Sequence, residues 1–465
     1  MPRSETEARC GAVFHTCGPI RLPLRARSFS STMRLTTPVV PWLAYTDFLP
    51  VLPASFSGDT TIYVRGWDFG FGENPPAIRL VIFPPDGRSN DGGWSQAAVV
   101  RLSSKGEGAT PLGSCTIAND RVAVLFRNAA AQHELITFRP SGPGSTVFPG
   151  AFTWRTVAAS FLDYGTGLGT PSQTGSVLIA PRIGDVAIAS SNGTSVRLVL
   201  AVEQIYDIDL ANNNMLPGLL RLELAGLRFD ADFSVIAMTA HLNHPGVGGT
   251  SVGAVLRLRP DGSRDAAFGN NGLWVSPLSV NHRGFVCAGE FAGIVAGCVG
   301  RRAVLFALDR NSPGGDGLDM TFGAGNGFVE HDLGGPLGRP TASADAAALY
   351  LFAQRVRIGS DGSGDGRAVG CRFSISSSAF GILDAGFGNG GSLTVGSDGA
   401  ALEPKGIALS GSDLYLGGTR QLPGEDCDRV PVVVAMNVVD GDPISDRGFA
   451  GFSLHGSIDS PAYSP

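Results

Sequence analysis

The stretch VLRLRPDGSRDAAFGNNG at 255–272 decides how this chain is read. Leucine and arginine alternate through Leu256, Arg257, Leu258 and Arg259, the period-two pattern of a strand with two unlike faces. The strand ends at Pro260-Asp261-Gly262, residues suited to a tight turn. An aromatic followed by glycines, Phe268, Gly269 and Gly272, then closes the unit.

The unit recurs. Clear copies are LFALDRNSPGGDGLDMTFGAGNG at 305–327, GCRFSISSSAFGILDAGFGNGG at 370–391 and VVAMNVVDGDPISDRGFAG at 433–451. More decayed copies are RLVIFPPDGRSNDGGW at 79–94, ELITFRPSGPGSTVFPG at 134–150 and LLRLELAGLRFDADFS at 219–234. Taking Trp94, Phe148, Phe233, Phe268, Phe322, Phe387 and Phe449 as markers gives seven units, with six steps over 355 residues, or about 59 residues each. The step from Phe148 to Phe233 is long and the next is short, as if one unit lacked an outer strand.

Some forty residues before each marker stand two alternating segments joined by a small turn, as in PASFSGDTTIYVRGW, SCTIANDRVAVLFRN, DVAIASSNGTSVRLVLAVEQ and PKGIALSGSDLYLGGTR. Each reads as a hairpin. Only 125–136 carries a trace of helical period. Four strands per period, repeated about seven times, predict an all-β chain folded as a single closed β-propeller of about seven four-stranded blades, with six or eight as alternatives. The expected organisation is a tail at 1–45, a propeller at 46–457 and a short tail at 458–465. FSLHGS at 452–457 is left over after the last marker and is expected to complete the first blade.

The fullest copy, RPDGSRDAAFGNNG, resembles the bacterial delta-60 propeller repeat, whose pattern runs strand, Asp-Gly turn, Leu-Asp-x-x-Phe-Gly-x-x-Gly. The resemblance spans roughly 50–455 and is strongest from 255 onward. It implies a propeller. The family carries no general activity, so the resemblance assigns no catalytic residue.

Composition narrows the function. Of 465 residues, 43% are apolar and 16% charged, with 65 glycines and 30 prolines, which suits a turn-rich chain with a sizeable core. The net charge is −6, lysine is nearly absent beside arginine, and no basic run follows the first 35 residues, which argues against a nucleic-acid partner. No run of 18 apolar residues predicts a membrane span. The first 40 residues hold six arginines and no apolar run that could form a signal-peptide core; a disordered tail or a start placed upstream of Met33 is expected, with a targeting segment as the alternative. An extracellular or cell-surface location and a monomer are the expectations.

Seven cysteines show no CxxC and no zinc spacing. Cys287 and Cys298 flank what reads as a hairpin turn and are a candidate disulfide, with two buried thiols as the alternative.

Candidate sites are sparse. GGDGLDMTF at 314–322 nearly matches a calcium-binding nonapeptide, but in one copy only. DGSGDG at 361–366 sets Asp361 and Asp365 as at the start of an EF-hand loop, without the bidentate acid that completes one. His241 and His244, three apart in an expected loop, could share a metal if a carboxylate joined them. No cofactor is otherwise expected, with calcium as the one possibility. The best ligand-binding candidates join an aromatic to acids or amides in expected loops: Trp67 and Asp68, and Tyr206, Asp207, Asp209 and Asn212. A flat apolar face beside directed acceptors suits sugar or peptide; packing between blades is the alternative. No nucleophile–base set and no phosphate loop can be named, so the expectation is a non-catalytic module for a protein or carbohydrate partner. The rival is a glycan hydrolase or lyase whose loop carboxylates converge at the central channel.

Overall fold

The computed structural model describes residues between Phe48 and Ile444, with strand backbone throughout that range and loops and side chains chiefly from Val177 onward. Seven antiparallel sheets follow one another along the chain. The first runs from Phe48–Val51 to Ala98–Arg101, the second from Thr110–Thr116 to Thr153–Thr156, and the third from Val177–Arg182 to Gln204–Asp209. The fourth runs from Leu219–Phe229 to Leu273–Val275, the fifth from Phe285–Phe291 to Phe328–Asp332, and the sixth from Thr341–Ala344 to Ser392–Val395. The seventh runs from Leu402–Ser410 to Arg429–Asn437. Five sheets have four strands; the fourth adds Val280–Asn281 beside Gly248–Leu258, and the seventh has three among the described residues.

The first strand of each sheet lies beside the first strands of the sheets before and after it. This succession ends where it began, because Leu402–Ser410 of the seventh sheet rests against Phe48–Val51 of the first. The chain is therefore a single closed β-propeller of seven blades, whose inner strands ring a common axis.

The blades stack through both faces of their middle strands. In Ser234–His244 the even positions Ile236, Met238, Ala240 and Leu242 enter the core shared with the third blade. The odd positions Val235 and Ala237 enter the core shared with the fifth. Burial on two sides explains why these strands read as nearly unbroken apolar runs.

The aromatic–glycine unit closes the blades from the fourth to the sixth. Asp265, Asp319 and Asp384 each give a backbone N–H to the strand before the turn, at the carbonyls of Arg257, Ala307 and Arg372. Each carboxylate then accepts the N–H two residues on, at Ala267, Thr321 and Gly386, and Phe268, Phe322 and Phe387 bury their rings. Glycine must follow. Gly269 and Gly388 have φ of +49° and +64°, and a Cβ would strike the carbonyl oxygens of Leu273 and Ser392.

Three sequence expectations change. Phe233 is not a closing marker: it stands just before the second strand of the fourth blade, where its ring and that of Phe268 each lie 4.4 Å from the Arg257 guanidinium. The last two strands of the third blade, Ser195–Leu200 and Gln204–Asp209, are only three residues apart in sequence, too few for an aromatic–glycine unit, which explains the uneven spacing. The trace of helical period at 125–136 falls on two paired strands, Val122–Arg127 and His133–Phe138. The first blade already has four strands of its own and needs none from 452–457, which lies outside the described residues.

Candidate functional site

Antiparallel order sends the hairpin between second and third strands, and the straps from one blade to the next, to one face of the ring. The aromatic–glycine turns occupy the opposite face. The strap face of the fourth blade carries a polar cluster with its side chains described.

Three adjacent strands build it. Arg221 on the inner strand pairs in register with His241, and His241 pairs with Ser251 on the third strand. Glu223 follows Arg221 by two residues and so shares its face of the strand. A register shift between Leu219 and Arg221 inserts Leu220, which is exposed, and such bulges re-aim neighbouring side chains. Arg221 Nη2 donates to Glu223 Oε1 at 2.5 Å, and His241 Nε2 stands 3.5 Å from the same oxygen. Ser251 Oγ lies 2.9 Å from His241 Nδ1. Arg339, on the strap leading into the sixth blade, reaches past the fifth blade to donate to the carbonyl of Leu224 at 3.4 Å. Bridging two blades that are not neighbours places its head on the axis side of the inner strands.

The hydrogen bond from His241 holds the Glu223 carboxyl below its ordinary value, and the positive charges of Arg221, His241 and Arg339 act the same way against its partial burial. Arg221, Glu223 and His241 have side chains 55%, 33% and 28% exposed. Ser251 is only 5% exposed. The chain Ser251–His241–Glu223 has the connectivity of a nucleophile relay, but a nucleophile has to reach its substrate, and Ser251 sits beneath the imidazole it supports. The cluster is suited to presenting an ionised carboxylate, a guanidinium and an imidazole on a stiff sheet.

The residues singled out from sequence do not converge here as a group. Trp67, Asp68, Asn212, Asp361 and Asp365 lie outside the described residues. Tyr206, Asp207 and Asp209 lie on the outer strand of the third blade, farthest from the axis, and not in a loop. The Tyr206 ring packs over Gly262 in the turn of the next blade. Asp207 is paired with Arg197, Nε to Oδ1 2.6 Å, and Asp209 accepts the Ala211 N–H at 3.0 Å. Their polarity belongs to an outer strand with a wet face. His241 and His244 fall on one strand, not in a loop, at a spacing of three that sets the two positions on opposite faces. Among the described residues no group of three or more His, Cys, Asp or Glu is placed to hold a metal ion. In the nonapeptide-like segment, Asp319 accepts from the N–H and hydroxyl of Thr321 and closes the blade turn.

Cys298 is a buried free thiol. The hairpin sets Cys298 opposite Val286 and Cys287 opposite Gly297, one residue out of register, so the proposed disulfide cannot span the pair. Sequence reasoning missed Arg221, Glu223 and Ser251. Arg221 and Glu223 show a faint signal in the alternation of RLEL, but their neighbours come from strands fixed only by register.

No protein-family model matches the chain, and no curated protein matches it. Solved structures give partial likenesses. AofleA from Arthrobotrys oligospora has 9% identity over 86% of this chain and 85% of its own, at a TM-score of 0.40. A mutant Aleuria aurantia lectin in complex with Fucα1-6GlcNAc has 10% identity over 71% of this chain and 96% of its own, at 0.34. A mutant levansucrase of B. megaterium has 10% identity over 86% and 85%, at 0.33. The seven-bladed architecture is read from the chain's own sheets, and the delta-60 resemblance rests on the repeat residues alone. Among the described residues no helix is long and apolar enough to cross a membrane.

Proposed function

We propose that this chain is a non-catalytic binding propeller that holds a carbohydrate or protein partner on its strap face, at the fourth blade. One observation carries the reading: Glu223 stands ionised and part-exposed between Arg221 and His241 on a rigid inner strand. Directed donors and acceptors fixed before the ligand arrives lower the ordering cost of binding. The same environment argues against Glu223 as the general acid of a glycosidase. A general acid has to keep its proton near neutral pH, and the neighbours of Glu223 favour the deprotonated form. Glu290, another acid of the inner strands, is buried against Arg228 and the Gly293 N–H. The reading requires no cofactor.

The test is a glycan array probed with the purified full chain, with and without calcium, followed by calorimetry on the hits. Saturable binding that weakens at least tenfold in Glu223→Gln is the expected result. Turnover of any glycan by the native chain, lost in the same variant, would replace the binder with the hydrolase or lyase.

A further inference from the structure

We infer that the ligand of this site is an acidic saccharide, one that carries a carboxylate or sulfate beside free hydroxyls. The inference rests on the binding reading above and narrows it. Although the chain is net negative, the site has two exposed guanidiniums, Arg221 and Arg339, around one carboxylate. Arg339 makes no ion pair among the described residues; its Nη2 holds only the Leu224 carbonyl. Arg221 commits Nη2 to Glu223, with His241 Nε2 3.4 Å away. A guanidinium has five N–H donors in a planar fork, so both heads keep donors suited to a planar or tetrahedral oxyanion.

Glu223 sets the second requirement. Its Oε1 takes both contacts, from Arg221 and from His241, and Oε2 is left as an acceptor among the described residues. A ligand that satisfies the whole site must bring an anion for the arginines and, within a few ångströms, a hydroxyl donor for Glu223. An acidic sugar ring carries both on neighbouring carbons. An acidic peptide side chain carries the anion without a hydroxyl donor on a neighbouring carbon.

Four probes of matched length decide the matter by calorimetry on the full chain: oligogalacturonate, a sulfated oligosaccharide, a neutral oligogalactose and oligoglutamate. Binding of one of the first two is expected, at least tenfold weaker in Arg339→Gln, partly restored in Arg339→Lys, and falling as salt rises from 50 to 300 mM; which of the two binds separates carboxylate from sulfate. Neutral oligogalactose bound equally well, and indifferent to Arg339→Gln, would overturn the acidic class while leaving a binding module. Oligoglutamate bound with the same arginine dependence would overturn the saccharide. Silence toward all four, with no hit on the glycan array, would remove both readings. Arg339 is exposed, and unchanged thermal melting of its variants confirms that a loss of binding is local.

Discussion

Glu223 illustrates what a single residue owes to its neighbours. On an isolated strand it would be an ordinary carboxylate; here a hydrogen bond from His241 and the charges of Arg221, His241 and Arg339 depress its proton affinity. A carboxyl whose folded value is depressed adds stability that is fully present above its unfolded value, about 4.3, and is lost as pH falls through the folded value. Native chain and Glu223→Gln should therefore differ most in melting temperature near pH 6 and converge toward pH 3. Thermal melts of both proteins across that range check the sign: a gap that widened on acidification would mean that the carboxylate is not stabilised in the fold. The residue types alone could not reveal this, because Arg221 and Glu223 are neighbours on one face of their strand whereas His241 is brought in by pairing and Arg339 by the ring.

The strands and turns were legible wherever local chemistry fixes them. Asp-x-x-Phe-Gly announces its own geometry: a carboxylate that caps the turn, a ring that is buried, and a glycine whose φ is positive. The reading failed where one residue type serves two elements. Phe233 looked like a turn marker, yet it and Phe268 flank Arg257 from two different elements of the fourth blade. Arg257 in turn donates to Asp265 from Nε at 2.6 Å, tying the third strand to the closing turn in a buried pair. Arg257→Met should cost about 3 kcal/mol, because the buried Asp265 carboxylate then keeps only the exposed Arg259 guanidinium, 3.7 Å from its Oδ1, to offset its charge. Arg257→Met combined with Asp265→Asn should lose less, since no bare charge remains. Urea unfolding of the native chain, Arg257→Met, Asp265→Asn and the double variant measures the coupling; simple additivity would show that the two side chains do not act as a pair. QIYDID at 204–209 likewise reads as a decorated loop by composition, but its alternation is that of an outer strand with one wet face.

At the scale of the molecule the ring closes through Phe48–Val51, which stands between the second and seventh blades. A chain that begins at Asp59 lacks that inner strand and exposes the facing edges of the seventh blade and the second. It should melt at a lower temperature and over a broader range than the full chain; calorimetry that showed one sharp transition at an unchanged temperature would place closure elsewhere. Seven periods of about sixty residues, strand alternation and the aromatic–glycine turn were sufficient, from sequence alone, to determine an all-β repeat and its approximate blade count, because each depends on contacts within some twenty residues. Which copy belonged to which blade was decided only in three dimensions, as were the register that separates Cys287 from Cys298 and the meeting of Arg221, Glu223, His241 and Arg339. Those facts depend on cross-strand register and on blades meeting around an axis, and residues more than a hundred positions apart carry no local signal of their encounter.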